Sequence, residues 1–297
     1  MEMSVKAPAK INLYLDVLGK RADGYHNIRS VMQTVDLCDD ITVELGTPKR
    51  GSQLIEISCS EAALPLDATN LAHRAAVTFF AGIGAYDYSC RISIEKNIPM
   101  AAGLAGGSTD AAAVLRLLNA LSGYPLDLEA LCALGATIGA DVPFCIRSGT
   151  LYTEQIGDVM VPCYPMPPAH VVIALGGNGV STPTAYRMLD DRYGDDLDRD
   201  FANVDELTTA LFSRDLRLIC SKMYNVFEDV ILPNHKKARE AKKALLRFGA
   251  LGALMSGSGP AVFGIFDDQG AAQSAAHRML GIVDRVFVAT TSDAAMI

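Results

Sequence analysis

Pro99-Met-Ala-Ala-Gly103-Leu-Ala-Gly-Gly107-Ser-Thr-Asp110 is the stretch on which the reading of this chain turns. It carries three glycines among mostly small side chains and runs straight into Ala111-Ala-Ala-Val-Leu115, a strong helix-forming run. A loop with almost no side chains lets a ligand come close to the backbone. A helix starting directly after it turns free N–H groups and a positive dipole end toward that ligand. The combination is an anion site, most often for phosphate. The preceding Arg91-Ile-Ser-Ile-Glu95 alternates polar and apolar with the period of a strand. The order is therefore strand, glycine loop, helix. No Gly-Lys-Ser/Thr triplet closes the loop, so it is not a Walker A loop. Nor is it a dinucleotide fingerprint, and Gly177-Asn-Gly179 lacks the third glycine. On loop composition alone, a tight strand-to-helix turn without a ligand stands as the alternative.

On the N-terminal side, Ile11, Leu13, Leu15 and Val17 alternate with Lys10, Asn12, Tyr14 and Asp16. This predicts a strand with one apolar and one polar face, the polar face carrying Lys10 and Asn12 side by side. A turn-rich loop, Gly19–His26, follows, then strand-like runs at Ser30–Val35 and Ile41–Leu45. Asn70 opens a helix that Gly82 and Gly84 stop. The helix after the glycine loop puts Ala111, Val114, Leu115, Leu118 and Leu121 on one stripe, with Gly123 at its C-terminal end. A further helix is expected over Leu128–Ile138, ended by Gly139, with Asp141 in the turn beyond it and Pro143 fixing the backbone. The proline-rich Val161–Pro168 reads as a seam between two domains, 1–160 and 161–297. Past it come a buried strand at Val171–Leu175, a helix at Ala238–Phe248, the Ser256-Gly-Ser-Gly-Pro260 turn and a strand at Ala261–Phe266. Strands and helices interleave throughout, which predicts an α+β two-domain chain. The acidic run Asp190–Asp200 reads as a solvated loop rather than a metal site.

The bulk properties narrow the function. The chain has 297 residues, half of them hydrophobic, enough for a large core and about two domains. A net charge of −8 argues against a nucleic-acid surface. Seven scattered cysteines without a Cys-x-x-Cys pair fit reduced thiols in a cytoplasm. No apolar run reaches the length of a membrane span, and Met1–Val5 lacks the features of a signal peptide. The five histidines do not cluster at metal-ligand spacing, and no Gly-x-Ser-x-Gly elbow is present.

Four pieces stand in order along the chain: Ala7-Pro-Ala-Lys10-Ile-Asn12-Leu13, Pro99–Asp110, Gly139-Ala-Asp141-Val-Pro143 and Ser256–Pro260. Together they resemble the GHMP kinases, over essentially the whole chain. The run from Lys10 to Tyr25-His26 is most similar to the branch of that family acting on a cytidine diphosphate conjugate of methylerythritol. The resemblance implies an N-terminal domain like ribosomal protein S5 domain 2, a C-terminal ferredoxin-like domain and a cleft between them. It implies transfer of the γ-phosphoryl of ATP, with Mg²⁺, to the tertiary 2-hydroxyl of methylerythritol in the non-mevalonate route to isoprenoid precursors. Monomer and homodimer both remain open, with a small-molecule substrate and neither nucleic acid nor membrane as partner.

Residue by residue, the resemblance makes Asp141 the general base and Lys10 the group that polarises the hydroxyl. Pro99, Met100, Ala101, Ala102, Gly103, Leu104, Ala105, Gly106, Gly107, Ser108 and Thr109 form the ATP loop, with Ser108 also a helix N-cap. Asn70 and Lys96 fall on the adenine side. Tyr25 and Tyr186 sandwich the cytosine, His26 reads its edge, and Asn12 holds the diphosphate or erythritol. Ser181 and Thr182, with Ser256, Gly257, Ser258 and Gly259, line the substrate side. Asp110, in the first helical turn, is expected to cap rather than to meet phosphate. Alanine tolerates positive φ poorly, so Ala101, Ala102 and Ala105 are expected at ordinary angles, leaving Gly103, Gly106 and Gly107 for the special ones. Two alternatives are a sister kinase for homoserine or mevalonate, and a non-catalytic nucleotide sensor. Tyr25-His26 with Tyr186 speaks against the first, Lys10 with Asp141 against the second.

Overall fold

A computed structural model describes residues 1–157, 159–177, 179–194 and 203–293. The first half runs β1 (Glu2–Lys20), β2 (His26–Leu45), β3 (Gln53–Cys59), α1 (Leu71–Gly82), β4 (Tyr88–Glu95), α2 (Gly106–Leu121), α3 (Leu128–Ile138), α4 (Val142–Arg147), β5 (Thr150–Gln155) and β6 (Val159–Pro162). The second runs β7 (His170–Leu175), α5 (Thr182–Tyr193), α6 (Val204–Ser213), α7 (Leu216–Ser221), β8 (Tyr224–Asn225), α8 (Glu228–Ile231), α9 (Lys236–Arg247), β9 (Gly252–Met255), β10 (Ala261–Phe266), α10 (Gln269–Met279) and β11 (Arg285–Thr290).

One sheet is ordered β3-β4-β2-β1-β8, with β5 paired to β2 and β6 to β5. The other is an antiparallel sheet ordered β11-β7-β10-β9. The short β8 comes from the second half of the chain yet pairs with β1, Tyr14 opposite Tyr224. The two halves therefore share backbone hydrogen bonds as well as side-chain contacts. Helix α2 is buried almost all round, from Thr109 to Leu115 and again at Leu117, Leu118 and Leu121. Its long apolar surface anchors the glycine loop to the core of the first half.

The polar face of β1 is buried, with Lys10, Asn12 and Asp16 each at most 4% exposed. Several expectations are corrected. The two runs expected at Ser30–Val35 and Ile41–Leu45 are one strand. Asp36 and Leu37 are absorbed as a bulge between the pairs Ala9–Val35 and Pro8–Cys38. The turn around Pro143 is a short helix, α4, with Pro143 at its start, where a missing N–H costs nothing. The acidic run begins inside α5, where Asp190 is half-buried; residues 195–200 lie outside the described residues. Gly123 sits just past α2 at φ 82°, as a helix C-terminus favours.

Candidate active site

A cleft of about 950 Å³ opens between β1, the Pro99–Ser108 loop, α4, α5 and the Gly257–Ser258 turn. Its floor is the buried polar face of β1. Lys10 Nζ lies 3.6 Å from Asp141 Oδ2 and donates to Asn12 Oδ1 at 2.7 Å. Asn12 Nδ2 in turn donates to Ser30 Oγ at 2.9 Å, and Ser30 Oγ to the Tyr14 carbonyl at 2.6 Å. Asn12 thus aims the ammonium as well as lining the cleft. Asp141 stands at the N-terminal end of α4, but its side chain makes no capping hydrogen bond and is 39% exposed. Its carboxylate faces the cleft, with Lys10 its one ion-pair partner among the described residues.

The glycine loop is fixed by tertiary hydrogen bonds to three successive carbonyls. Ala261 N–H donates to Ala102 O at 3.2 Å, Ser256 Oγ to Gly103 O at 2.9 Å, and Lys10 N–H to Leu104 O at 3.1 Å. A side chain at Gly103 would place its Cβ 2.0 Å from the Ser256 carbonyl oxygen, and φ there is 80°. This is where the loop needs glycine. Ala102 keeps an ordinary angle as expected, but Ala101 (φ 51°) and Ala105 (φ 60°) are left-handed, while Gly106 and Gly107 are helical. A left-handed alanine costs roughly 1–2 kcal/mol. The pinned carbonyls between Ala101 and Ala105 hold the chain on that path. The residue capping α2 is Ala105, without a side-chain bond, so Ser108 is not the N-cap. Gly106, Gly107 and Ser108 all line the cleft, and their N–H groups belong to the unbonded first turn of α2.

Asp110 does not cap the helix. It is buried and pairs with Lys96 Nζ at 2.7 Å. Lys96 also pairs with the fully buried Asp39. Burial pulls the Lys96 ammonium down, but Asp110 and Asp39 outweigh it and raise it. Burial pushes the Asp110 carboxyl up, against the pull of Lys96. Asp39 Oδ1 further accepts from Asn97 N–H at 2.6 Å and Ile98 N–H at 2.8 Å. Lys96 reaches the cleft wall beside Gly106, yet its charge is already committed. Asp39 was invisible in the sequence, because 57 residues separate it from Lys96 and nothing local marks it.

The remaining expected residues divide. Tyr25, His26, Tyr186, Thr182, Gly257 and Ser258 line the cleft together with Pro99, Met100, Ala101, Ala102, Gly103 and Ala105. Tyr25 is 64% exposed; Tyr186 stacks on His26 and meets Phe227 edge-on. Asn70, Leu104, Thr109, Ser181, Ser256 and Gly259 are not on the wall. Asn70 caps α1 through Ala72 N–H and donates to Pro65 O. Leu104 is core, and Thr109 is fully buried. Ser181 bonds Thr184 locally. Ser256 acts behind the wall, through Gly103 and through Asn12 N–H at 3.3 Å. Thr182 Oγ1 and Ser258 Oγ lie 3.3 Å apart across the mouth. Sequence reasoning missed Lys20, Arg187 and Phe227 on the wall. It also missed Asn225, whose amide donates to Met255 O and Gly257 O and shapes the turn.

Comparison with known proteins gives the chain a family. Residues 70–149 match the GHMP kinase N-terminal domain, and 207–282 the GHMP kinase C-terminal domain. The chain is 44% identical over 279 residues to the 4-diphosphocytidyl-2-C-methyl-D-erythritol kinase of Clostridium perfringens (strain ATCC 13124), 94% of each chain being covered. It is 42% identical to the enzyme of the same name from Geobacillus thermodenitrificans, over 97% of this chain and 96% of that one. A crystal structure of 4-(cytidine 5′-diphospho)-2C-methyl-D-erythritol kinase superposes with a TM-score of 0.80 at 32% identity, covering 98% of this chain and 99% of the other. The chain belongs to the GHMP kinases, a family of ATP-dependent phosphotransferases.

Proposed function

We propose that the chain phosphorylates the 2-hydroxyl of 4-(cytidine 5′-diphospho)-2-C-methyl-D-erythritol with ATP, a step toward isoprenoid precursors. The observation that carries the chemistry is the approach of Lys10 Nζ to Asp141 Oδ2 at 3.6 Å on the wall that also holds the glycine loop. The names of the relatives carry the choice of alcohol.

Phosphoryl transfer asks a protein for alignment and charge neutralisation. The first-turn N–H groups of α2 take the phosphates of ATP. The substrate hydroxyl sits between Lys10 and Asp141. Its oxygen forms a bond to the γ-phosphorus, the bond from phosphorus to the β-bridging oxygen breaks, and the hydroxyl proton passes to Asp141. ADP leaves, and Lys10 offsets the negative charge gathered around the transferred group. Among the described residues no three His, Cys, Asp or Glu side chains are grouped as a metal cage. Magnesium bound with the nucleotide would offset phosphate charge, and the Ser108 hydroxyl on the cleft wall is the protein oxygen that would be offered to it. Tyr25 and Tyr186 hold the base, stacking being worth about 1–3 kcal/mol per base.

The two halves correspond to an S5-domain-2-like unit and a ferredoxin-like unit meeting near residue 160. All seven cysteines are free, which supports a cytoplasmic setting; among the described residues no helix is long and apolar enough to cross a membrane. Incubation with ATP and, separately, the cytidine conjugate, homoserine and mevalonate tests the reading. Turnover of the conjugate alone is expected. Turnover of homoserine or mevalonate in its place overturns it.

A further inference from the structure

His26, Asp190, Lys20 and Tyr186 form a constellation on the cleft wall that phosphoryl transfer does not use. His26 Nε2 lies 2.7 Å from Asp190 Oδ1, and Lys20 Nζ donates to Asp190 Oδ2 at 2.8 Å. Burial alone would raise the Asp190 carboxyl, but the hydrogen bonds from Lys20 and His26 outweigh it and hold the group below its ordinary value. An ionised carboxylate only accepts, so the proton of the His26–Asp190 bond sits on Nε2. The ring has little freedom otherwise. Its side chain is 5% exposed, and it stacks on Tyr186 with centroids 4.7 Å apart and planes 23° apart. Nδ1 has no hydrogen-bond partner among the described residues and is not sealed from solvent. On α5, Pro183, Tyr186 and Asp190 recur at helical spacing and all line the cleft, so the same helix face supplies both the platform and the anchor.

We infer that Asp190 sets the base specificity of the cleft: by fixing the proton of His26 on Nε2, it presents Nδ1 as a lone-pair acceptor for the exocyclic amino group of a 4-aminopyrimidine. The inference rests on the cytidine reading above. Cytosine offers an N4–H donor where a 4-oxo pyrimidine offers a carbonyl acceptor. Against the oxo base, two lone pairs face each other and neither is satisfied, which is how a polar site rejects a close analogue. Asp190 is here a positioning residue: it acts through His26 and, with Lys20, keeps the tautomer from reversing.

The test compares the cytidine conjugate with its uridine counterpart in steady-state kinetics of the wild-type chain, Asp190→Ala and Asp190→Asn. In parallel, ¹⁵N NMR reads the protonation of the His26 ring. The wild-type chain should favour the cytidine conjugate and show a neutral His26 with its proton on Nε2. Asp190→Ala should raise KM for the cytidine conjugate by about 10–100-fold, the range for an acceptor left unaligned. The preference over uridine should fall by a similar factor, with kcat and the KM for ATP unchanged. Asp190→Asn can bond either tautomer, so it should lose preference with less loss of affinity. Lys20→Met, which removes the second donor to Asp190 but keeps the backbone pairing of Lys20 with His26, should show the same pattern in weaker form. An unchanged cytidine-to-uridine ratio in both Asp190 variants, or a wild-type His26 carrying a proton on Nδ1, overturns the inference while leaving the kinase reading intact. A wild-type chain that turns over neither conjugate overturns both.

Discussion

Lys10 and Lys96 line the same cleft and are equally buried, each with a side chain 5% exposed. They differ in what surrounds them. Lys96 lies between two carboxylates, Asp39 and Asp110, that are themselves at most 3% exposed. Through Asp39 it also ties the N–H groups of Asn97 and Ile98 at the entrance of the glycine loop. Lys10 meets a neutral amide and one carboxylate that is 39% exposed and 3.6 Å away. A buried cation enclosed by two anions has nothing left to offer a ligand, and moving it would strand both partners. One held by an amide and a solvent-facing carboxylate can exchange that carboxylate for a substrate oxygen at little cost. Burial is the same at the two sites; the partners decide which lysine is committed to a brace and which keeps its charge open to the cleft.

The largest effect that would test this contrast is on turnover. Asp141→Asn should lower kcat by about 10²–10⁴-fold, the usual worth of a general base, while urea unfolding and ATP binding stay near those of the parent. Near-parental kcat would remove Asp141 from the chemistry, and a large loss of stability would make the Lys10 pair a brace like the other. Lys96→Met should do the reverse in kind. It leaves two buried carboxylates facing each other, so a loss of about 3–5 kcal/mol in unfolding free energy is expected. Equal stability of that variant and the parent would break the comparison.

Asp16 sharpens the comparison as a buried charge with still less compensation. It is 3% exposed, and its bonds come from Val17 N–H at 2.9 Å and Tyr14 OH at 3.4 Å, with no cation in hydrogen-bond range among the described residues. Burial pushes its carboxyl up to about 6. The protonated form is therefore the one the fold favours. The contribution is fully present below about pH 4 and is lost as the pH rises through about 6, which at neutral pH costs about 2–3 kcal/mol. Asp16→Asn should stabilise the protein by roughly that amount at pH 8 and by almost nothing at pH 4, measured by denaturant unfolding at both. A gain that does not depend on pH would show that Asp16 is compensated after all. The smallest effect concerns the loop that both lysines flank. Ala105→Gly removes a left-handed alanine but adds freedom to the unfolded chain, for a net gain of at most about 1 kcal/mol. A clear loss of stability would mean that the Ala105 methyl contributes packing beyond its strain.

Much of this was readable locally. The strand–loop–helix unit around Pro99–Asp110, the α3 boundaries at Leu128 and Ile138, the cap at Asn70 and the β10 limits at Ala261 and Phe266 follow from periodicity and from short-range capping chemistry. The same local logic misplaced Asp110 and Ser108. It assigned their side chains to the nearest helix end, when one pairs with a lysine from the preceding strand end and the other follows a cap made by backbone alone. It also read Asp190 as part of a solvated loop, because nothing within ten residues shows that α5 turns it toward His26, 164 positions earlier.

The amino-acid sequence by itself determined the glycine loop, the alternation that sets Lys10 and Asn12 on one face of β1, and the small residues that let α2 pack on all sides. These depend on contacts within a few residues, where side-chain size and hydrogen-bonding capacity act directly. Only the tertiary structure decided which alanines adopt positive φ, which buried lysine is neutralised twice, and that Asp141 faces Lys10 instead of capping α4. Each of those outcomes depends on a partner tens to hundreds of residues away, such as the Ser256 turn on Gly103 or Asp39 on Lys96. The energy of a buried charge or a strained backbone angle is set by the groups that close around it, and those are fixed only when the two halves of the chain meet.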